Sequence, residues 1–385
     1  MADTTACDAA VVLLATHWSG AGEAPYVTRS LAGALATRAR LTVATPGAVP
    51  APPRSDGAFD VHTISLDRPP PLLRHAAIVV LATPLPAALA DLARRNAPET
   101  RLILAPLGDG GGSKLNPELV DAVIVPTRYG LEQAVGRGFA LEVVHDTGMF
   151  VATNPVAARD PLVGAHCNDY LLVLSDRQAP GGRSSPAVEP VARSIWPARM
   201  DPVDTARWII AAFPRRQVAV VDSGVVTIWR NRRYAGHAPV GTRTDLWRLM
   251  ARAWVTIDLS PGHVMARECI ESLMFGTPIV VPTGSVAAEH ARGQSMGASG
   301  TGWVGEACTA GRSYSDLAEL IDHLADLEDP DLRDSLGGGG RRYATDRYGS
   351  PARFAAALAK LLDETSGSTR GEDNAPTPAL GSAAT

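Results

Sequence analysis

Short apolar runs alternate with helical stretches along most of this chain, and that alternation restricts its fold more than any other feature. In the first half the runs of strand length are Val11–Ala15, Leu41–Thr45, Ile78–Ala82, Arg101–Ala105 and Ala122–Pro126. The stretches between them that read as helices are Pro25–Arg38, Pro86–Arg95 and Arg128–Arg137. Strands that are apolar on both sides belong in a parallel sheet covered by helices on both faces. The pattern therefore predicts an α/β fold that begins with a doubly wound domain.

The alternation stops at residues 150–169, whose prolines and polar residues indicate a linker, and then restarts. The second set of predicted strands is Tyr170–Leu174, Gln217–Val221, Val225–Trp229, Val255–Leu259 and Pro278–Pro282. The second set of predicted helices is Val203–Phe213, Arg243–Ala253, Val264–Phe275 and Ser315–Leu327. Asp222-Ser223-Gly224 indicates a hairpin turn, so we expect one antiparallel ribbon in this sheet.

The last part of the chain reads as accessory structure. Gly337–Gly340 predicts a flexible joint before a final helix at Pro351–Glu364, and the small and polar residues from Ser366 onward are typical of a disordered tail. The boundaries we expect are 1–150 for a first Rossmann-like domain, 151–169 for an interdomain linker, 170–345 for a second Rossmann-like domain, 346–364 for a C-terminal helix and 365–385 for the tail. Two such sheets facing each other predict a cleft between the carboxyl ends of their strands, where ligands bind.

Charge and composition exclude several classes of protein. The chain has 385 residues with 36 basic and 40 acidic side chains, so its net charge of −4 offers no overall positive field to nucleic acid. No apolar run reaches the roughly 18 to 20 residues that cross a bilayer, and the first residues lack the basic start of a secretory signal. The four cysteines are far apart, which is typical of a reducing cytosol. We expect a cytoplasmic protein, with peripheral contact at a membrane surface left open.

The segment from Val255 to Pro282 carries the most chemical information. It reads as a strand, a tight loop at Ser260-Pro261-Gly262, a helix that stops at Gly276, and another strand. A helix that starts directly after such a loop aims its free N–H groups at a ligand and suits a phosphate. Glu271, about two turns into that helix, could accept hydrogen bonds from both hydroxyls of a ribose. The alternative is a solvated i,i+4 pair between Arg267 and Glu271.

The run Glu271-Ser-Leu-Met-Phe-Gly-Thr-Pro278 resembles the C-terminal signature of retaining glycosyltransferases of the family 4 type, which have the GT-B fold and carry a Glu-x7-Glu motif. His17–Glu23 is similar to the N-terminal glycine loop of that family, and Val144–Phe150 to its interdomain segment. Tyr170–Arg177 resembles the first strand of its donor domain. The resemblance implies a hexosyltransferase that moves a sugar from a nucleotide diphosphate sugar to an acceptor, with retention and without a metal.

The resemblance also implies where the donor binds. It implies that Arg177 and Arg183 hold the diphosphate and that Glu271 holds the ribose. It further implies that the start of the helix adds its dipole, through Val264, Met265 and Ala266. The first domain is implied to receive the acceptor, whether polysaccharide, lipid or small molecule, beside a glycine loop made of His17, Gly20, Ala21 and Gly22.

Two positions depart from the family pattern. His263 stands where the family has its first Glu, the residue nearest the transferred sugar, and can still exchange a hydrogen bond with a sugar hydroxyl. Glu268, one turn before Glu271, is a second candidate for a carboxylate. Asp109 stands near the place where many members have a His, and could contact donor or acceptor. His263, Glu268 and Asp109 are therefore the candidate catalytic residues.

Other functions remain open on the sequence. A protein of the same fold that binds nucleotides without turnover would explain His263, and a nucleotide-sugar epimerase shares the architecture. An NAD-dependent enzyme would need the dinucleotide-binding spacing, which Gly297–Gly302 lacks. We expect no cofactor beyond the nucleotide sugar, and no metal ion, because the histidines are not at metal-ligand spacing. Those considered are His17, His62, His75, His145 and His166.

Overall fold

Two seven-stranded sheets organise the chain in the computed structural model. The structure describes residues 7–15, 18, 23–46, 59–64, 76, 78–82, 94–95, 100–105, 116–154, 170–175, 201–222, 225–230, 233–259, 265–293 and 309–367. The α/β fold class predicted from the alternating pattern is confirmed.

All neighbouring strands of the first sheet are parallel, in the order β3-β2-β1-β4-β5-β6-β7. The strands are β1 (Cys7–Ala15), β2 (Ala39–Pro46), β3 (Asp60–Ile64), β4 (Ile78–Ala82), β5 (Arg101–Ala105), β6 (Ala122–Val125) and β7 (Val144–Asp146). Helices α1 (Glu23–Ala36) and α2 (Arg128–Gly136) belong to this half. Leu13 of β1 is buried in one cluster with Leu31 of α1, whereas Leu14 is buried in another with Ala134 of α2. Both faces of the sheet are therefore covered, as a doubly wound domain requires.

The second sheet has the order β11-β10-β9-β8-β12-β13-β14. Its strands are β8 (Tyr170–Ser175), β9 (Gln217–Asp222), β10 (Val225–Arg230), β11 (Arg233–Pro239), β12 (Ala253–Asp258), β13 (Ile279–Pro282) and β14 (Gly311–Tyr314). The helices that follow residue 200 are α3 (Pro202–Ala212), α4 (Arg243–Arg252), α5 (Arg267–Met274), α6 (Val286–Arg292), α7 (Leu317–Asp326), α8 (Pro330–Tyr348) and α9 (Pro351–Gly367). Strand β10 is antiparallel to β9 and β11, so the predicted antiparallel ribbon is confirmed.

The glycine run at residues 337–340 is not a joint, so that prediction is wrong. These glycines lie inside α8, a helix of 19 residues. A Cβ added to Gly337 would be 2.2 Å from the carbonyl oxygen of Gly276, and one added to Gly340 would be 2.5 Å from Cδ2 of Leu273. At Gly337 and Gly340 there is no room for a side chain, because α8 passes directly against the end of α5. Close packing here outweighs the low helix propensity of glycine.

The C-terminal helix returns to the first half of the chain. Phe354, Leu358 and Leu361 of α9 are buried in the same cluster as Val27 and Leu31 of α1. Helices α1 and α9 therefore share one hydrophobic core.

Candidate functional site

Four charged side chains meet where α5 begins. Arg267 and Glu268 open that helix, Glu271 follows one turn later, and Arg243 is the first residue of α4. Nε of Arg267 donates to Oε1 of Glu271 over 2.8 Å, and Nη1 of Arg243 donates to Oε1 of Glu268 over 2.7 Å. We refer to these four residues as the charge cluster. Its formal charge is balanced, because it contains two guanidiniums and two carboxylates.

Arg243 forms a bidentate hydrogen-bonded ion pair with Glu271. Its Nε donates to Oε1 over 3.1 Å, and its Nη2 donates to Oε2. The position of Arg243 is set by the start of α4, where Thr242 and Asp245 form a capping box. The backbone N–H of Asp245 donates to the Thr242 hydroxyl over 3.2 Å, and the backbone N–H of Thr242 donates to the Asp245 carboxylate over 2.9 Å. Such a box satisfies two amide donors that the helix leaves unpaired, and it brings Arg243 to the cluster.

The members of the cluster differ in exposure. The Glu271 side chain is fully buried and that of Arg267 is 8% exposed, whereas Arg243 and Glu268 keep 27% and 36% of their side chains exposed. A molecule that approaches the cluster therefore meets Arg243 and Glu268 first.

Glu271 has little remaining capacity to bind a ligand. A carboxylate has about four lone-pair positions. Among the described residues, Oε1 accepts from Arg243 and Arg267 and Oε2 accepts from Arg243, so three are occupied. The ribose contact predicted for Glu271 would require the displacement of a guanidinium before both hydroxyls could bind.

Burial and neighbouring charges shift the pKa values of the cluster in different directions. Burial raises the pKa of Glu271, against the opposing charges of Arg243 and Arg267. At Glu268 burial is the largest single effect and acts to raise the pKa, but the charge and hydrogen bond of Arg243, with smaller contributions from a backbone N–H and Arg267, together outweigh it and the pKa is lowered. The pKa of Arg243 is raised, because the two carboxylates outweigh the effect of burial. Glu268 is consequently an ionised acceptor at neutral pH.

Arg267 connects the cluster to the first half of the chain. Its guanidinium lies 3.4 Å from the centre of the Tyr26 ring in α1, a cation–π contact. The Tyr26 hydroxyl donates to the carbonyl oxygen of Phe150 over 3.2 Å and accepts from the backbone N–H of Ala152 over 3.0 Å. The cluster thus lies where the second half meets α1 and the segment that leaves the first half.

A second contact between the halves lies at the start of α2. Both carboxylate oxygens of Glu289 in α6 accept backbone N–H groups, from Arg128 over 3.0 Å and from Tyr129 over 2.7 Å. A carboxylate at the N-terminus of a helix accepts hydrogen bonds from free amides and interacts favourably with the positive end of the helix dipole. The second half therefore supplies part of the cap of a helix in the first half.

The structure corrects the predicted start of the helix at Val264–Phe275, which was expected to face a phosphate. Helix α5 begins at Arg267 and not at Val264, because Ala266 has a left-handed backbone with φ of 48° and ψ of 59°. Met265 and Ala266 are buried, and the carbonyl oxygen of Met265 is bound to Nε2 of His290 over 2.6 Å. The side chains of these two residues therefore belong to the core, and the helix dipole begins three residues later than predicted.

Most of the other predicted site residues belong to segments outside the described part of the chain. Those that lie outside the described residues are His17, Gly20, Ala21, Gly22, Asp109, Arg177, Arg183, His263 and Val264. Gly297–Gly302 also lies outside them. Of the predicted set, the described part of the chain brings Glu268 and Glu271 together.

The sequence did not predict Arg243 as a partner of Glu271 or Tyr26 as a partner of Arg267. A signal for Arg243 was present, since Thr242-x-x-Asp245 matches the Ser/Thr-x-x-Asp/Glu pattern of a capping box and places the next residue at a helix start. No comparable signal exists for Tyr26, because its contact with Arg267 joins residues that are far apart in sequence.

Two kinds of feature are absent from the described residues. Among them, no three His, Cys, Asp or Glu side chains come together in a group that could hold a metal ion. Within the same part of the chain, no helix has both the length and the apolar character needed to cross a membrane.

Comparison with solved structures decides the architecture. HepE of Anabaena, solved with UDP and glucose, is 14% identical with a TM-score of 0.60, and the match covers 92% of this chain and 99% of that one. The chain has the GT-B fold. Sucrose-phosphate synthase from Thermosynechococcus elongatus matches at 13% identity and a TM-score of 0.59, over 93% and 99% of the two chains. A glycosyltransferase from Rickettsia africae matches at 8% and 0.61, over 94% and 100%. No family model and no curated protein sequence matches this chain.

Proposed function

We propose that this GT-B chain is a glycosyltransferase that moves a sugar from a nucleotide diphosphate sugar to an acceptor. We further propose a hexose as the sugar, retention at the anomeric carbon, no metal ion and a cytoplasmic location. The observation that carries the proposal is the charge cluster, which lies at the start of a helix and at the contact between the two halves.

The solved relatives support the choice of donor. HepE of Anabaena was crystallised with UDP and glucose and also with UDP-glucose. Low sequence identity means that the shared architecture, and not shared residues, provides this support. A two-domain fold with ligand sites at the carboxyl ends of both sheets suits a reaction between two substrates.

The second half is proposed to hold the donor. Arg177 and Arg183 would bind the diphosphate through charge-assisted hydrogen bonds. When the bond between the anomeric carbon and the diphosphate oxygen breaks, the oxygen keeps the electron pair. Positive groups aimed at that oxygen stabilise the transition state more than the bound donor, which is how they would raise the rate.

The first half is proposed to receive the acceptor, whose hydroxyl oxygen forms the new bond to the anomeric carbon while its proton passes to the departing diphosphate. The glycine loop of His17 and Gly20–Gly22 and the side chain of Asp109 are the proposed contacts. His263 would contact the transferred sugar. Polysaccharides, lipids and small molecules all remain acceptor classes under this proposal, and a lipid acceptor would bring the protein to a membrane surface.

Glu271 is proposed to act in the donor site through Arg243. Its carboxyl is buried and holds the Arg243 guanidinium by a two-pronged contact. Removal of Glu271 would therefore disturb nucleotide binding by releasing Arg243. This role differs from the direct ribose contact implied by the resemblance.

The proposal is tested by incubating the protein with a panel of nucleotide sugars, with and without mixtures of polysaccharide, lipid and small-molecule acceptors. We expect release of nucleoside diphosphate that depends on acceptor, and a product whose anomeric configuration by NMR equals that of the donor. Tight nucleotide binding without turnover would favour a binding protein. A changed nucleotide sugar formed without acceptor would favour an epimerase. Either result would contradict the transferase.

A further inference from the structure

The exposed edge of the charge cluster combines a hydrogen-bond donor with an acceptor. Arg243 and Glu268 are its two partly exposed members, and they contact each other over 2.7 Å between Nη1 and Oε1. The other two members, Arg267 and Glu271, lie behind them and are nearly or fully buried. A ligand at this edge therefore meets a guanidinium and a carboxylate side by side.

Both groups retain capacity for a ligand. Arginine has five N–H groups, and bonds to described residues use three of those on Arg243, so one N–H remains on Nη1 and one on Nη2. The contact with Arg243 fills one of about four lone-pair positions on Glu268. The pKa of Glu268 is lowered by Arg243 against the effect of burial, so its acceptor character persists at neutral pH.

The chemistry of this edge selects among the parts of a nucleotide. A diphosphate offers acceptors and carries negative charge, so it would be attracted by Arg243 and repelled by Glu268. The edge of a nucleobase offers an acceptor beside a donor, as in the carbonyl and ring N–H of uracil, and matches both groups at once. We infer that Arg243 and Glu268 read the base of the nucleotide, an inference that rests on the proposed function and specifies its donor site.

The two buried members of the charge cluster fix the orientation of Arg243, and through it the contact with Glu268. Glu271 accepts hydrogen bonds from both Nε and Nη2 of Arg243, and two such bonds fix the plane of the guanidinium. Arg267 holds Oε1 of Glu271 and stacks on Tyr26. Glu271 and Arg267 are positioning residues in this scheme. Lysine at 243 would keep the charge but lose the planar fork.

Base selectivity is the property that tests the inference. Uracil and cytosine have the same size, but their donor and acceptor are exchanged at this edge, and the same holds for guanine and adenine. The measurement is isothermal titration of UDP, CDP, GDP, ADP and UMP into the wild-type protein and its variants. We expect the wild-type protein to separate UDP from CDP, or GDP from ADP, by about ten-fold or more.

Glu268→Gln and Arg243→Gln should each reduce that ratio toward one, because an amide both donates and accepts and can serve either base. The ratio of UDP to UMP affinity should stay unchanged in both variants. The matched control is Glu132→Gln, at an exposed carboxylate of α2 paired with Arg128, which should keep the wild-type base ratio.

Arg243→Gln leaves the buried Glu271 with one guanidinium fewer, so each variant is first compared by thermal unfolding. The double variant Arg243→Gln/Glu271→Gln removes the charges of both partners and serves if the single variant does not fold. An unchanged base ratio in the folded variants, a smaller UDP to UMP ratio, or a wild-type protein that binds all bases equally would overturn the inference. A wild-type protein that binds no nucleotide would instead overturn the proposed function.

Discussion

Nη2 of Arg347 in α8 lies 2.8 and 2.7 Å from the two carboxylate oxygens of Asp146, at the end of β7. The side chains are 12% and 8% exposed, and they come from opposite halves of the chain. The same nitrogen also donates to the carbonyl oxygen of Pro126 over 3.3 Å. This nearly buried ion pair joins the edge of the first sheet to a long helix of the second half.

Breaking that pair should destabilise the fold strongly. Asp146→Ala leaves the guanidinium of Arg347 buried without its carboxylate, which costs about 3 to 5 kcal/mol in comparable sites. Urea unfolding measures the loss. Asp204→Ala is the control, because Asp204 pairs with Arg207 in the open, with both side chains more than 60% exposed, and such pairs contribute below about 1 kcal/mol. Equal losses of unfolding free energy in the two variants would show that the pair between Asp146 and Arg347 contributes no more than an exposed ion pair.

Replacement of two neighbouring glycines of α8 by alanine should change the stability of the protein in opposite directions. The methyl group of Gly337→Ala would be 2.2 Å from the carbonyl oxygen of Gly276, so the helices must separate, with a loss of about 1 to 3 kcal/mol. At Gly338 the nearest atom to an added Cβ is the end of the Arg342 side chain at 3.8 Å. Gly338→Ala should therefore stabilise the helix by up to about 1 kcal/mol. Thermal unfolding distinguishes the two, and a loss of stability at both positions would contradict the packing described.

The buried ring of His290 should cause the free energy of unfolding to fall as the pH is lowered. Burial lowers its pKa from 6.5 to about 4, and the ring is bound to the Met265 carbonyl over 2.6 Å and the Tyr343 hydroxyl over 3.0 Å. Because the unfolded chain binds this proton more readily, the contribution is complete above pH 6.5 and is lost as the pH falls toward 4. Between pH 7 and 5 the loss is about 2 kcal/mol.

The variant His290→Gln isolates that contribution, because the other titrating groups are common to both proteins. The difference in unfolding free energy between wild type and variant should shrink by about 2 kcal/mol from pH 7 to pH 5. Urea titrations at the two pH values give that difference. A constant difference would mean that His290 does not titrate as a buried neutral ring.

Prediction from the sequence succeeded where local pattern decides structure. The strands Ile78–Ala82 and Arg101–Ala105 have the predicted bounds, because each apolar run is followed closely by a proline in the sequence, Pro84 and Pro106. Short elements such as β7 and β14, with three and four residues, were missed because so few residues carry no periodic signal. The antiparallel strand β11 was also missed, since its small and polar residues resemble a loop.

Prediction failed where distant contacts decide. Glycine favours flexibility in isolation, and only the approach of α8 to Gly276 and Leu273 explains Gly337 and Gly340 as packing residues. The pattern around Glu271 identified the right helix, but not its neighbours. Arg243 lies 28 residues away in sequence, and Tyr26 belongs to the other half of the chain.

Nucleotide binding is the most direct test of the account, because it precedes any question of acceptor or stereochemistry. Thermal unfolding of the full chain should be measured with a panel of nucleotide sugars and nucleoside diphosphates. A ligand at about 100 times its Kd raises stability by about 2.7 kcal/mol. We expect at least one nucleotide diphosphate sugar to produce such a rise, and Glu271→Ala to weaken that binding by about ten-fold or more. A panel in which no nucleotide shifts the transition would contradict the proposed function.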